Sequence, residues 1–213
     1  MGVAPSRGRA ALLTRLLFAG DSVTDCGRTF FAPDVASGEL GAGWVRVVAG
    51  VLGHQAPEQH TILNAGVSGD RVGDLLDRWD RDVVAHAPEV LTVLVGVNDA
   101  LLSPATPHDV FEEQLDGIFD RLPPSVERLV IAEPFVLAAT PEAAELRERH
   151  RPNLECVRAA ATGLDGAVLL PLDELFRAAC ARAAPAWWAP DGVHPSIAGH
   201  ALIAQAWLDA VAF

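Results

Sequence analysis

Two hydrophobic periods alternate along the chain. Five short runs, at residues 16–19, 61–64, 90–97, 128–135 and 167–172, are apolar in the main, and each ends in a loop. Runs of this length suit strands buried on both faces, because a half-exposed strand would carry a polar residue at every second position. Between the runs the period lengthens to that of a helix. In RVGDLLDRWDRDVV, the residues Val72, Leu75, Leu76, Trp79 and Val83 fall along one side of a helix, while Asp and Arg occupy the other, which reads as a solvated face. Thr106-Pro107 and Thr140-Pro141 each pair an N-cap residue with proline at the first helical position, predicting two more helix starts. Phe111, Leu115, Ile118 and Phe119 form the stripe of the first, and Pro195 predicts a last helix with Ile203, Trp207 and Ala210 facing inward.

Strands alternating with helices imply right-handed crossovers and a parallel sheet covered on both faces. The predicted fold is therefore α/β, a three-layer α/β/α sandwich around a five-stranded parallel sheet. With 213 residues, half of them hydrophobic, and no repeat or linker, one domain spanning residues 1–213 is expected. One irregular segment, residues 24–43, holds five glycines or prolines together with Phe30 and Phe31. Such a segment either lines a site or runs over the surface with its phenylalanines in a minor core.

Charge and cysteine content narrow the partners. The net charge is −12, all sixteen basic residues are arginine, and no basic run is long enough to make a cationic face, so nucleic acid is not expected. The three cysteines, Cys26, Cys156 and Cys180, leave at least one unpaired and show no CxxC spacing, which argues against zinc and a disulfide framework and for a reducing compartment. The basic and apolar N-terminus is interrupted at Arg15, and its last residues are needed for the first strand, so a signal peptide is the weaker reading. No run approaches the roughly twenty apolar residues that cross a bilayer. A cytoplasmic protein with no membrane partner is expected, and its apolar richness leaves a homo-oligomer open.

In a doubly wound sheet, ligands bind at the carboxyl ends of the strands, so the residues following each run are the candidates for chemistry. These are Asp21 and Ser22; then Asn64, Gly66, Ser68, Gly69 and Asp70; then Asn98 and Asp99; and, near the C-terminus, Asp191 and His194. Serine becomes a nucleophile when an imidazole accepts its proton, and the imidazole needs a carboxylate to fix its tautomer. Asp191 and His194, three residues apart, can meet within one turn. The N–H groups of Ser22 and Gly69 and the Asn98 amide are candidate donors to a developing oxyanion. Taken singly, Asp191 and His194 also fit a helix start, Gly69 a plain turn and Asn98 a loop cap.

FAGDSVTD, NAGVSGDR, VGVND and DGVHP resemble, in order and approximate spacing, the four motif blocks of the SGNH (GDSL) hydrolase family, from Phe18 to Pro195. The resemblance implies an SGNH/flavodoxin-like fold, with Ser22 as nucleophile, His194 as base and Asp191 as its orienting acid. It further implies an oxyanion hole of Ser22, Gly69 and Asn98, without metal or organic cofactor. GDSVTDCGR, LGAGWVRVVAGVLG and SGDRVGDLLDRWDRDV are similar to a bacterial branch that includes xylan acetylesterases. That implies a serine esterase removing small acyl groups, O-acetyl foremost, from carbohydrates such as acetylated xylo-oligosaccharides. The alternatives are a lysophospholipase or thioesterase using the same triad on longer acyl chains, and a non-catalytic carbohydrate-binding protein on the same fold. A GxSxG elbow is absent around Ser22, which disfavours an α/β-hydrolase. The chain departs most from the family before the Asp/His pair, at APAWWAPDGVHP. There Trp188 is a candidate sugar platform, and Arg28 a candidate partner for a polar substrate group.

Overall fold

The computed structural model describes residues 14–28 and 40–211. Five strands, β1 (Thr14–Gly20), β2 (His60–Gly66), β3 (Val90–Leu94), β4 (Arg128–Ala132) and β5 (Val168–Leu170), form one parallel sheet in the order β2-β1-β3-β4-β5. The helices are α1 (Ser22–Asp25), α2 (Trp44–Gln55), α3 (Val72–Asp77), α4 (Trp79–Asp82), α5 (Val97–Leu101), α6 (His108–Phe119), α7 (Pro141–Gly163), α8 (Leu172–Ala179), α9 (Pro185–Trp188) and α10 (Ile197–Ala210).

Successive strand residues point to opposite faces, and both faces are covered. Leu16, Phe18, Val90, Leu94, Val130 and Leu170 pack with Trp44 and Val48 of α2, Phe176 of α8, and Ile203 and Trp207 of α10. Leu17, Ala19, Leu91, Val93, Leu129 and Ile131 pack on the other side with Leu75 of α3, Trp79 of α4, Phe111 and Ile118 of α6 and Val157 of α7. This double burial is why the middles of the runs are mostly apolar. Thr92, at the centre of β3, is buried and accepts a 2.9 Å hydrogen bond from Trp207 Nε1–H, which satisfies both groups.

Several boundaries move from their expected places. β3, β4 and β5 are shorter than the apolar runs, since Val97 already belongs to α5 and Leu172 to α8. The last helix starts at Ile197 rather than Pro195, because Ser196 takes the N-cap and its hydroxyl accepts from Gly199 N–H at 3.2 Å. The stretch around Val72 to Val83 is broken at Arg78 into α3 and α4, and Arg78 is only 9% exposed, so that charged side is not wholly solvated. Phe30 and Phe31 lie outside the described residues. With β1 between β2 and β3, the topological switch lies at the carboxyl ends of β1 and β3, where the sheet opens a crevice.

Candidate active site

β1 delivers Asp21 and Ser22 to that crevice. Asp21 caps α1, its carboxyl group accepting from Val23 N–H at 3.0 Å, and Ser22 is the first residue of this single helical turn. Asp25 ends the turn and ties it to the neighbouring loop, accepting from Arg28 N–H at 3.1 Å and from Ser68 N–H at 3.0 Å.

Asp191 and His194 stand on a turn between α9 and α10. His194 Nε2 lies 2.9 Å from Ser22 Oγ, and His194 Nδ1 lies 2.7 Å from Asp191 Oδ2. The other Asp191 oxygen accepts from Val193 N–H at 2.9 Å and His194 N–H at 2.8 Å, so the carboxylate holds backbone and ring together. Partial burial pushes the Asp191 carboxyl up, but these hydrogen bonds outweigh it and hold the group below the ordinary carboxylate range. Gly192 lets the turn dock against the start of α7. Its φ is +87°, its C=O accepts from Leu137 N–H at 2.8 Å, and a Cβ there would fall 2.4 Å from Leu137 O.

Gly69 and Asn98 follow the carboxyl ends of β2 and β3, on either side of β1. Gly69 has φ +89° and is exposed. Asn98, on the first turn of α5, is 4% exposed and donates from Nδ2 to Asp70 O at 2.9 Å, leaving a second N–H on the same nitrogen. Asp99 braces the rim by accepting from Val72 N–H at 3.1 Å and the Thr106 hydroxyl at 2.8 Å. The structure thus brings Ser22, His194 and Asp191 into one hydrogen-bonded chain, and ties Asn98 to Asp70, the residue after Gly69, at the same ends of the strands.

Two charged groups lie behind the rim: Arg78, which escaped the sequence reading, and Asp21, whose burial did. Arg78 donates to Gly20 O at 3.1 Å, Ala65 O at 2.8 Å, Asp70 at 2.6 Å and Asp82 at 3.0 Å. A faint signal existed, since Arg78 stands three residues after Leu75 and immediately before Trp79, at the edge of the apolar stripe. Asp21 is 1% exposed, and burial pushes its carboxyl up to about 7. The Val23 N–H and the His194 charge oppose that rise, whereas Asp70 and Asp99 add to it.

The two expected substrate-binding residues are placed differently. Trp188 is 8% exposed, packed in the core with Phe176, and covered by the Arg182 guanidinium 5.0 Å from its ring, so it offers no open platform; its neighbour Trp187 is 63% exposed. Arg28 turns Nε–H to Gly66 O and lies 3.9 Å from Asp25, bracing the two loops with a side chain only 14% exposed. Cys26 Sγ is 3.4 Å from His200 Nε2, but Trp44 N–H donates to His200 Nδ1 at 3.2 Å, so Nε2 carries the proton. Burial lowers His200 to about 4 and pushes the Cys26 thiol up, which leaves the thiol without an activating base.

A hollow of about 320 Å³ adjoins the Asp/His turn, lined among others by Leu101, Glu142, Leu146, Arg149, Asp191 and His194. Among the described residues, no group of three His, Cys, Asp or Glu side chains is placed to hold a metal ion, and no helix is long and apolar enough to cross a membrane.

Residues 18–202 match the GDSL-like Lipase/Acylhydrolase family. The chain is 31% identical over 208 residues to an acetylxylan esterase of Geobacillus stearothermophilus, covering 93% of this chain and 94% of the relative. The crystal structure of Axe2, an acetylxylan esterase from Geobacillus stearothermophilus, superposes with a TM-score of 0.85 at 30% identity, covering 95% of this chain and 97% of that one. LAE5, an alpha/beta hydrolase enzyme from the metagenome of Lake Arreo, Spain, superposes with a TM-score of 0.84 at 28% identity, covering 94% and 95%. The parallel sheet with helices on both faces, the motif blocks and these similarities agree, and the chain belongs to the GDSL-like lipase/acylhydrolase family.

Proposed function

We propose that the protein is a serine esterase that removes small acyl groups, O-acetyl foremost, from carbohydrates such as acetylated xylo-oligosaccharides. Ser22 is the nucleophile, His194 the general base and acid, and Asp191 the carboxylate that orients it. The N–H groups of Ser22 and Gly69 and the Asn98 side chain are the oxyanion donors. The observation that carries this reading is the hydrogen-bonded chain from Ser22 Oγ through His194 to Asp191, at 2.9 and 2.7 Å.

In this reading, Ser22 Oγ bonds to the ester carbonyl carbon while its proton passes to His194 Nε2. The negative charge that develops on the carbonyl oxygen is met by the three donors. The bond to the sugar oxygen then breaks, and the imidazolium returns the proton to that oxygen. Water, deprotonated by His194, repeats the sequence on the acyl-enzyme and frees the acid and Ser22. His194 thus acts as base toward Ser22 and the water and as acid toward the leaving sugar oxygen.

The preference for acetylated sugar draws on the acetylxylan esterase relative and on the hollow beside His194, where apolar Leu101 and Leu146 lie with charged Glu142 and Arg149. A sugar ring has both apolar and hydroxyl-bearing surfaces to match such a lining, whereas a long acyl chain would desolvate the charges. The three unpaired cysteines support a cytoplasmic setting. The test is acetate release from acetylated xylo-oligosaccharides, with Ser22→Ala as control and an octanoyl ester alongside. Release that depends on Ser22 and exceeds octanoyl hydrolysis is expected. Cleavage of the octanoyl ester alone would transfer the same residues to a lipid or thioester substrate, and no turnover by folded protein would remove the catalytic assignment.

A further inference from the structure

Arg78, at the break between α3 and α4, stands where the ends of β1 and β2 meet. Its Nη2 donates to the carbonyl of Gly20, two residues before Ser22. Nη1 donates to the carbonyl of Ala65 near the end of β2, the strand that leads to Gly69. Nε donates to the carboxylate of Asp70, the residue next to Gly69, and the Asp70 carbonyl in turn accepts from Asn98 Nδ2 at 2.9 Å. The remaining anchor, Asp82 on α4, accepts from Nη1 at 3.0 Å and holds the cation from the outer side.

The Ser22 and Gly69 donors are therefore a few covalent bonds from an acceptor held by this guanidinium, and Asn98 donates to the backbone carbonyl of Asp70, the residue whose carboxylate the guanidinium holds. A planar fork with fixed directions suits that task, because it sets the spacing between its acceptors, which a single ammonium on a flexible stem cannot do. The site is also costly to build. The helical run is interrupted at Arg78, and a side chain 9% exposed keeps a full charge against Asp70 and Asp82. Packing alone would be served by an apolar residue at the edge of this stripe.

We propose that Arg78 is the positioning residue of the oxyanion hole: one buried guanidinium fixes the relative places of the Ser22, Gly69 and Asn98 donors. It acts through those groups and does not touch substrate. The inference rests on the esterase reading above, since it assigns Arg78 a role in stabilising that reaction's oxyanion.

The test is a kinetic cycle on an acetyl ester with wild type, Arg78→Lys, Asn98→Ala and the double variant, with thermal unfolding of each. Arg78→Lys is expected to lower kcat about a hundredfold with KM little changed, as a misplacement of about 1 Å does. Because that change already displaces the Asn98 amide, the double variant should fall by less than the product of the two single losses. The rate of fluorophosphonate labelling at Ser22 should fall with kcat. A role in stability alone would lower the melting temperature and leave kcat, and the coupling to Asn98, where they were.

Retention of kcat in folded Arg78→Lys, or losses that multiply in the double variant, would overturn the assignment. If Arg78→Lys is unfolded at the assay temperature, Asp82→Asn, which loosens the outer anchor together with the exposed Arg81 that shares it, replaces it in the cycle. A smaller loss of kcat, again less than multiplicative with Asn98→Ala, is then expected, and an unchanged kcat or a multiplicative loss sinks the proposal. Absence of Ser22-dependent acetyl ester hydrolysis in wild type would instead remove the esterase reading and the Arg78 assignment with it. An active wild type with an indifferent Arg78→Lys removes only the latter.

Discussion

Replacing Asp21 by asparagine should make the protein more stable at neutral and alkaline pH, although Asp21 caps the helix that carries Ser22. The carboxyl group is 1% exposed, and its burial raises it from 3.8 to about 7, an effect strengthened by the charges of Asp70 and Asp99. Below pH 3.8 the group is protonated in both folded and unfolded states. Between that value and about 7 the unfolded chain releases a proton that the folded protein keeps, so stability falls as pH rises through this window and levels off above it. At about 1.4 kcal/mol per pH unit, the loss amounts to the order of 4 kcal/mol. Asparagine preserves the shape and the oxygen that accepts from Val23 N–H, and it does not titrate. Denaturant unfolding of wild type and Asp21→Asn from about pH 4 to about pH 8 measures the difference, in which the titrations of all other groups cancel to first order. The stability of the variant relative to wild type should rise by up to about 4 kcal/mol across the window and then stay flat. A difference independent of pH would refute the argument, and so would one of opposite sign, in which wild type gains as pH rises in the manner of an ordinary capping carboxylate.

The other predictions concern the Asp/His turn and the tryptophan pair. Asp191→Asn should lower kcat about 10³- to 10⁴-fold by losing the acceptor that fixes the His194 tautomer. Since both side chains are about half-exposed, at 56% and 51%, the melting temperature should hardly move, and a loss of activity that tracks unfolding would count against the role. Gly192→Ala and Gly69→Ala both place alanine at positive φ, but only the first drives a Cβ into Leu137 O. Thermal unfolding should therefore show the larger loss at Gly192, at least about 2 kcal/mol, and equal losses would argue against the packing described. Trp188→Ala should cost about 3–5 kcal/mol of stability and Trp187→Ala within about 0.5 kcal/mol, a ranking that denaturant titration checks directly.

Much of this molecule was legible in the chain because its two strongest signals are local. The sheet is parallel and covered on both faces, so β1 and β3 read as apolar runs, and Thr140-Pro141 starts α7 as expected, with the Thr140 oxygen accepting from Ala143 N–H at 3.1 Å. At Thr106-Pro107, by contrast, the helix begins one residue later, with Pro107 at the N-cap and the Thr106 hydroxyl drawn to Asp99. The site residues follow strand ends, so Ser22, Gly69 and Asn98 could be named before their distances were known, and the order of four short blocks pointed to the family. The runs overstated strand length because buried apolar segments also begin helices, as Val97 begins α5.

Burial across the fold was not local, and it decided the rest. Trp187 and Trp188 are identical and adjacent in sequence, yet one faces solvent and the other lies beneath Arg182. Arg78 reads as one more charge on a solvated helix face until the carboxyl ends of β1 and β2 arrive to accept its hydrogen bonds. Asp21 looks like an ordinary cap until full burial holds its proton to about pH 7. The sequence by itself determined the five strands, their alternation with helices and the candidates for the reacting groups, because periodicity and motif spacing are properties of neighbouring residues. Only the tertiary structure decided which charges lose their water, and that loss is set by segments as far apart as Gly20 and Arg78 coming into contact.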